Sequence, residues 1–378
     1  MEQTVFVANP TRLLIAAAVG IIVLLLLIIK FKLHPVISMM IAAIIIGVGA
    51  GMPLTMISDT VEKGVGKTLQ GIALLVGLGS MFGGILEVSG GAQRIAQTLI
   101  DKLGQKKAGI ALGITGLVIG TTVFFEAGVV VLIPLAFSVA KQTRKSTLYY
   151  AIPLLAGLAS GYAFVPPSAG SVLVADSLGV NLGVMIMVGI PTALICMIVA
   201  GVIWGRFIGN KVFTKLPVRG YTGAQLKKIL DHSLRPVGMI LLVIASGGVI
   251  RWMLQDSGLG DIIGPALEKS GMPLILVAFL IALLVRASVG SSMVAMTMAS
   301  GIMATMPAVM ATSMLYRAAM CCAICGGATA LSHVNDAGFW LVGTFLEIDE
   351  KTTLKSWTIM ETLIGITALV VSLIISIF

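Results

Sequence analysis

The sequence predicts an all-α polytopic membrane protein of inverted repeats, with two re-entrant hairpins and two broken helices. Three observations lead there. Of the 378 residues, 58% are hydrophobic and only 11% are charged, whereas a soluble domain carries about a quarter charged residues. Apolar runs at 13–29, 184–204 and 363–378 approach or reach the ~20 residues that cross a bilayer. Most of the 25 Lys and Arg gather in short segments between such runs, the positions that set membrane orientation. The 44 glycines suit close helix packing in lipid. With 6% aromatics and no basic–aromatic tract, nucleic acid is excluded as a partner.

Full-length apolar helices are expected at 11–29, 35–52, 68–88, 181–205, 236–254 and 356–378. The N-terminus lacks a basic start and a small-residue cleavage site, so 13–29 reads as a retained span rather than a signal peptide. Residues 108–140 are different. Lys102, Lys106 and Lys107 precede them, and Lys141, Arg144 and Lys145 follow. At about 1.5 Å per residue this stretch is short for two crossings. A re-entrant hairpin is expected, with its tip near 120–128, GTTVFFEAG. Residues 272–310 share the character, with a polar tip at 286–292, RASVGSS.

Two further segments, 147–179 and 311–346, are too long for one helix and are interrupted by AFVPPSAGS at 163–171 and GGATALSHVNDAG at 326–338. Adjacent prolines forbid a regular helix. Non-helical backbone at membrane depth is tolerated only where protein or a water-filled cavity satisfies it. Both segments therefore read as broken helices lining a cavity.

With the 30–34 loop cytoplasmic, 18 Lys and Arg fall inside and six outside, leaving Arg286 at a hairpin tip. Both termini then lie outside the cytoplasm. The segment ALLVGLGSMFGGILEVSGG at 73–91 resembles ILLVIASGGVIRWMLQDSGLG at 240–260, and at offsets of 166 to 168 tip falls on tip and break on break. By charge, one hairpin opens inward and the other outward, so the copies are related by inversion, the architecture of secondary transporters. The organisation is N-terminal scaffold helices at 1–67, a first repeat at 68–205, a basic cytoplasmic linker at 206–235 and a second repeat at 236–378.

LSHVNDAGFWLV at 331–342 and the KTTLKSWTIMET run at 351–362 resemble the gluconate permease family. So do FFEAGVVVLIPLAF at 124–137, AFVPPSAG at 163–170 and LLVRASVGSSMVAM at 283–296. The resemblance spans nearly the whole chain. It implies a proton-coupled importer of gluconate or a related sugar acid in a bacterial inner membrane, a homodimer whose hairpin-bearing domain moves in elevator fashion. A sodium-coupled or exchange-type organic-anion carrier, or an anion channel, is the alternative. Three departures stand out. Glu126 replaces the family's common Asp, and Ser168–Ala169 stands where His-Pro often follows the paired prolines. Between about Asn210 and Lys228, a short polar segment replaces a pair of hydrophobic spans.

Arg286 is the sharpest signal. A charge at mid-membrane costs about 2.5–3.5 kcal/mol on insertion scales, and a guanidinium fork matches a carboxylate bidentately. It reads as a substrate anchor or as half of a structural pair with Glu126 or Asp336. Those two acids sit at interruptions, one per repeat. Burial disfavours their charged form, which suits them to carry protons, or else they cap helices. His333 reads as a proton relay, a substrate contact or a structural hydrogen-bonder. Ser291, Ser292, Thr121, Thr122, Ser168 and Asn335 offer hydroxyl and amide partners to a polyhydroxy acid, beside Pro166 and Pro167 at the first break. Ser and Thr also pack commonly between membrane helices.

Glu87 and Glu361, near helix ends, read as interfacial or packing partners. The Met-rich 293–314 stretch reads as flexible packing, and Cys321, Cys322 and Cys325 as small packing residues. No phosphate loop or zinc spacing occurs, so no cofactor or metal is expected. An enzyme using His333 and Asp336 is a distant alternative. Single cysteines at Gln105 and Gln142 should both label from the cytoplasm, and cysteines at Gly271 and Thr312 both from outside. Opposite-side labelling within either pair would remove that hairpin.

Overall fold

The computed structural model describes residues 9–104, 107–214, 236–259, 271–334 and 336–378, and every regular element among them is helical. Five of these helices are long and apolar enough to cross a membrane.

The first two helices are set by their starts. In α1 (Pro10–Ile29) and α2 (Pro35–Ala50) a proline occupies the first helical position, where its missing N–H costs nothing. Asn9 accepts from the N–H groups of Thr11 and Arg12, and His34 from that of Val36. Helix α2 ends at Gly51, whose φ of +87° closes the turn. The next helix, α3 (Leu54–Val88), starts well before the span expected at 68–88. Its polar first half stays helical because it packs on α11 (Pro236–Asp256). A Cβ on Gly64 would stand 2.6 Å from Val249 Cα, so only glycine admits this approach. Lys63 reaches Asp256 at 2.9 Å, and Thr60 donates to the same carboxylate.

The amphipathic α4 (Gly91–Leu103) lies in a stretch to which the sequence reading assigned no element. The first hairpin follows as α5 (Ala108–Gly120) and α6 (Phe125–Thr143), with its tip inside the expected window. Next comes the first broken helix, α7 (Leu148–Phe164) and α8 (Ala169–Ser177), interrupted around a cis Pro166–Pro167 bond. Helix α9 (Leu182–Cys196) passes through a π-helical stretch, Met197–Ile203, into α10 (Trp204–Lys211). Most of the expected 206–235 linker lies outside the described residues.

After α11 the same order recurs. A hairpin of α12 (Leu274–Val289) and α13 (Ser292–Ala304) turns at Gly290, φ +79°. A short α14 (Pro307–Met310) leads to the second broken helix, α15 (Met314–Thr329) and α16 (Ala337–Leu346). The last helix begins at Glu350, earlier than the expected 356. It runs as α17 (Glu350–Thr353), a π-helical stretch Leu354–Thr358, and α18 (Ile359–Ile375).

Each hairpin leans on its own broken helix by backbone contact. Cβ atoms on Gly116 and Gly157 would lie 2.2 Å from Leu154 O and 2.0 Å from Gly113 O, so α5 and α7 touch main chain to main chain. In the second half, a Cβ on Gly327 of α15 would lie 2.4 Å from Phe279 O of α12. Arg317 joins the halves: from α15 it donates to Leu178 O at 2.9 Å, satisfying a carbonyl at the end of α8.

Gly157→Ala should therefore destabilise the protein by about 3 kcal/mol through overpacking. Gly66→Ala, whose methyl would meet nothing within 4 Å, should be neutral or slightly stabilising. Thermal unfolding in detergent reads both, and equal melting temperatures would show that α5 and α7 part without cost.

Candidate substrate-binding site

Three helix starts converge on one cavity. Helix α6 begins after an extended Phe124, α13 after its cap Ser291, and α16 after its cap Asp336. First-turn residues of all three line a cavity of about 520 Å³ together with Arg286, Tyr162, Trp357 and Glu361. Helix N-termini present unpaired N–H groups and the positive end of the peptide dipole. No N-cap side chain bonds the start of α6, where the Glu126 carboxylate lies against its own backbone N–H. Such an end is a ready anion site.

Arg286 in the last turn of α12 is only 3% exposed. Its Nη2 contacts Asp336 Oδ2 at 2.6 Å, and its Nη1 donates to the carbonyl of Gly290. Its Nε is buried without a partner among the described residues. Of the two acids offered for a pair, Asp336 is the one in contact. Asp336 is held from three sides: beside Arg286, it accepts from the Ser332 hydroxyl and, at 3.1 Å, from the N–H of Gly338. Trp357 Nε1 donates to Ser332 Oγ at 2.6 Å, and Thr358 Oγ1 to the Ser332 carbonyl. These bonds fix a break in which Leu331 adopts φ +55°, a region bulky residues rarely enter.

Glu126, in the first turn of α6, is exposed to the cavity. Beside it Phe125 packs on Trp357, ring centroids 5.2 Å apart. Glu361 is 4% exposed and lines the same cavity, its Oε1 unpartnered among the described residues. The sequence reading put Glu361 near a helix end, but the final helix starts at Glu350 and carries it inward. Its signal was being an acid in an apolar run, which by default marks function. Ser332 and Trp357 were also missed; neither has a sequence pattern, because their roles arise from contact across the break.

Ser291 and Ser292 line the cavity at the α13 start. Thr121 and Thr122 do not; they donate to Val118 O and Ile119 O at the first hairpin tip. Pro166, Pro167 and Ser168 form the first break outside the lining, with Ser168 bonded to Ser171 at 2.7 Å. His333 ties the second break to the hairpin, its Nε2 3.1 Å from Ala287 O. Asn335 lies outside the described residues. The four cysteines are free and fully buried.

A cavity where the two hairpins meet the second break, with one guanidinium and three acids inside a multi-pass apolar bundle, defines a membrane transporter. The fold is similar to that of the YdaH transporter of Alcanivorax borkumensis, with a TM-score of 0.61, 13% identity, and 83% of this chain and 87% of that one covered. The chain belongs to the GntP family of permeases, whose model matches residues 12–218 and 211–378. It is 34% identical to the low-affinity gluconate transporter of Escherichia coli K12, covering 96% of this chain and 98% of that protein. It is 30% identical to the Gnt-II system L-idonate transporter of the same organism, with 94% and 97% covered. These relatives are transporters, not enzymes. The first of these alignments runs over 438 positions, more than this chain has residues. The two matched family segments meet at 211–218, where the sequence reading located the missing helix pair.

The buried pair makes a thermodynamic prediction. Asp336→Leu should cost about 3–5 kcal/mol by leaving Arg286 uncompensated, and adding Arg286→Met should recover part of that loss. Thermal unfolding of the single and double variants measures the coupling, and strictly additive effects would show that the two charges do not depend on each other.

Proposed function

We propose that the protein is a secondary active transporter that imports gluconate or a related sugar acid by proton symport across the bacterial inner membrane. Arg286 carries this reading: a guanidinium 3% exposed beside a cavity met by three helix N-termini is suited to an organic carboxylate. The names of the relatives, gluconate and L-idonate transporters, agree in substrate class. Ser291 and Ser292 meet the substrate hydroxyls. Thr121, Thr122, Ser168 and the Pro166–Pro167 break, outside the cavity lining, are assigned to the substrate path of the first repeat, and His333 and Asn335 to that of the second. Glu126, longer than the family's usual Asp, and Ser168–Ala169 adjust which sugar acid fits.

Glu126 and Asp336 carry the coupling proton. An anion arriving beside two ionised carboxylates meets like-charge repulsion, and a proton on one of them relieves it. The recurring order of hairpin and broken helix supports two inverted repeats, at 68–205 and 236–378. These move in elevator fashion against the 1–67 scaffold of a homodimer, with the 206–235 linker cytoplasmic and both termini outside.

In sodium-free proteoliposomes an inward proton gradient should drive gluconate accumulation by the parent. Glu126→Gln or Asp336→Asn should exchange substrate yet fail to concentrate it, and Arg286→Lys, which loses the planar fork, should bind poorly while still inserting. A requirement for sodium, or unimpaired accumulation by both neutral variants, would sink proton coupling through these acids.

A further inference from the structure

Within the site, Ser332 and Trp357 form a hydrogen-bonded chain whose direction is forced. An indole N–H can only donate, so Ser332 Oγ accepts from Trp357 Nε1 at 2.6 Å. The single hydroxyl proton of Ser332 is then left to point at Asp336 Oδ2. That oxygen is the one in contact with Arg286 Nη2. The chain thus delivers a second donor to the atom that occupies Arg286.

The chain is built into the backbone. Trp357 and Thr358 are consecutive residues of a π-helical stretch, and both reach Ser332, one at its hydroxyl and one at its carbonyl. In the wider π turn successive side chains are reoriented, and such turns concentrate at functional sites. The other face of Trp357 packs on Phe125, next to Glu126. One residue therefore touches the start of α6 in the first half and, through Ser332, the α16 cap Asp336 in the second.

We propose that Ser332 and Trp357 are positioning residues that hold Asp336 on Arg286, so that the substrate carboxylate gains Arg286 only when Asp336 takes a proton and leaves. This rests on the sugar-acid reading above. Arg286 Nε is without a partner among the described residues, but a two-pronged grip on a carboxylate also needs an Nη donor; Nη1 is on Gly290 and Nη2 on Asp336, so substrate and Asp336 compete for the fork. Lower pH neutralises Asp336 and favours substrate, and the relay sets how low the pH must be. The other ionisable groups whose charge reaches Asp336 are Glu126 on α6, Glu361 on α18 and Arg286 on α12, with Tyr162 on α7 behind Glu126 and His333 on the same break.

Titration calorimetry of the full-length protein in detergent, with gluconate as the probe across acidic to neutral pH, tests this. Affinity of the parent should rise as pH falls. Ser332→Ala removes a donor from the ionised carboxylate, so release should occur at higher pH: the profile moves up by about one unit, near tenfold tighter binding at neutral pH. Trp357→Phe keeps the ring against Phe125 but drops the N–H, and should shift the profile in the same direction by less. Asp336→Asn should bind with no pH dependence of this origin. A variant with merely structural damage would bind more weakly at every pH. Parental profiles in both Ser332→Ala and Trp357→Phe, uniformly weaker binding by Ser332→Ala, or a parental pH dependence in Asp336→Asn would overturn the proposal. A parent that binds no sugar acid at any pH would instead remove the functional reading on which it stands.

Discussion

The structure of the site depends on one buried contact, the Arg286–Asp336 pair. Moving a guanidinium and a carboxylate out of water costs several kcal/mol per ion. The surroundings offset that cost: Gly290 accepts from Arg286, while Ser332 and the Gly338 N–H donate to Asp336. The pair joins the tip of the second hairpin to the second break. Both are places where helical hydrogen bonding stops, and where backbone groups must find partners inside the protein. Arg286 supplies a donor to a tip carbonyl and Asp336 an acceptor to a break N–H. The charges that line the cavity are thus also what lets the chain be non-helical there.

Much of this was legible because interruptions have composition. The first tip falls within GTTVFFEAG and the second within RASVGSS, since Gly and small polar residues stand out against apolar runs. The paired prolines mark the first break by removing donors. The partner of Arg286 stayed open, because Glu126 and Asp336 both sit at interruptions and only tertiary geometry selects Asp336. Glu361 was read as peripheral because apolarity begins near residue 356, while the helix begins at Glu350 through a π-helical stretch that leaves no compositional trace. The same blindness covers Trp357 and Ser332, 25 residues apart in sequence and joined only by the fold. The span expected from 68 begins at 54 for the reverse reason, since its polar half is stabilised by partners on α11.

The shortened second half places unusual weight on α11. The relatives align over more positions than this chain possesses, and the discontinuity falls just before α11. What remains packs tightly in its place. Helix α11 lies against both α2 and α3, with Asp256 held by Lys63 and Thr60, and Lys63 also over the Trp252 ring at 4.0 Å. Cβ atoms on Gly47 and Gly248 would collide with Met253 Sδ at 2.8 Å and Thr68 Oγ1 at 2.1 Å. Close backbone approach is the main source of helix association in lipid, where apolar burial gives little driving force. Helices α2, α3 and α11 therefore hold together without the absent pair.

The placement of the acids explains why a permease would build its cavity from helix starts at all. Asp336 caps α16 and Glu126 lies in the first turn of α6, positions where a negative charge is stabilised by the helix dipole. Under the proposed function a substrate carboxylate would meet the same dipoles and the same guanidinium. The positive groups of the cavity are few: Arg286 and the starts of α6, α13 and α16. Three protein carboxyls already face them, and a fourth from the substrate would set four carboxyls against one guanidinium. Arg286 and Glu361 are both almost inaccessible, so bulk water screens their charges little. Under the proposed symport, an organic anion settles as one of the resident carboxyls becomes neutral, and the balance of charges around one guanidinium is what would link substrate to proton.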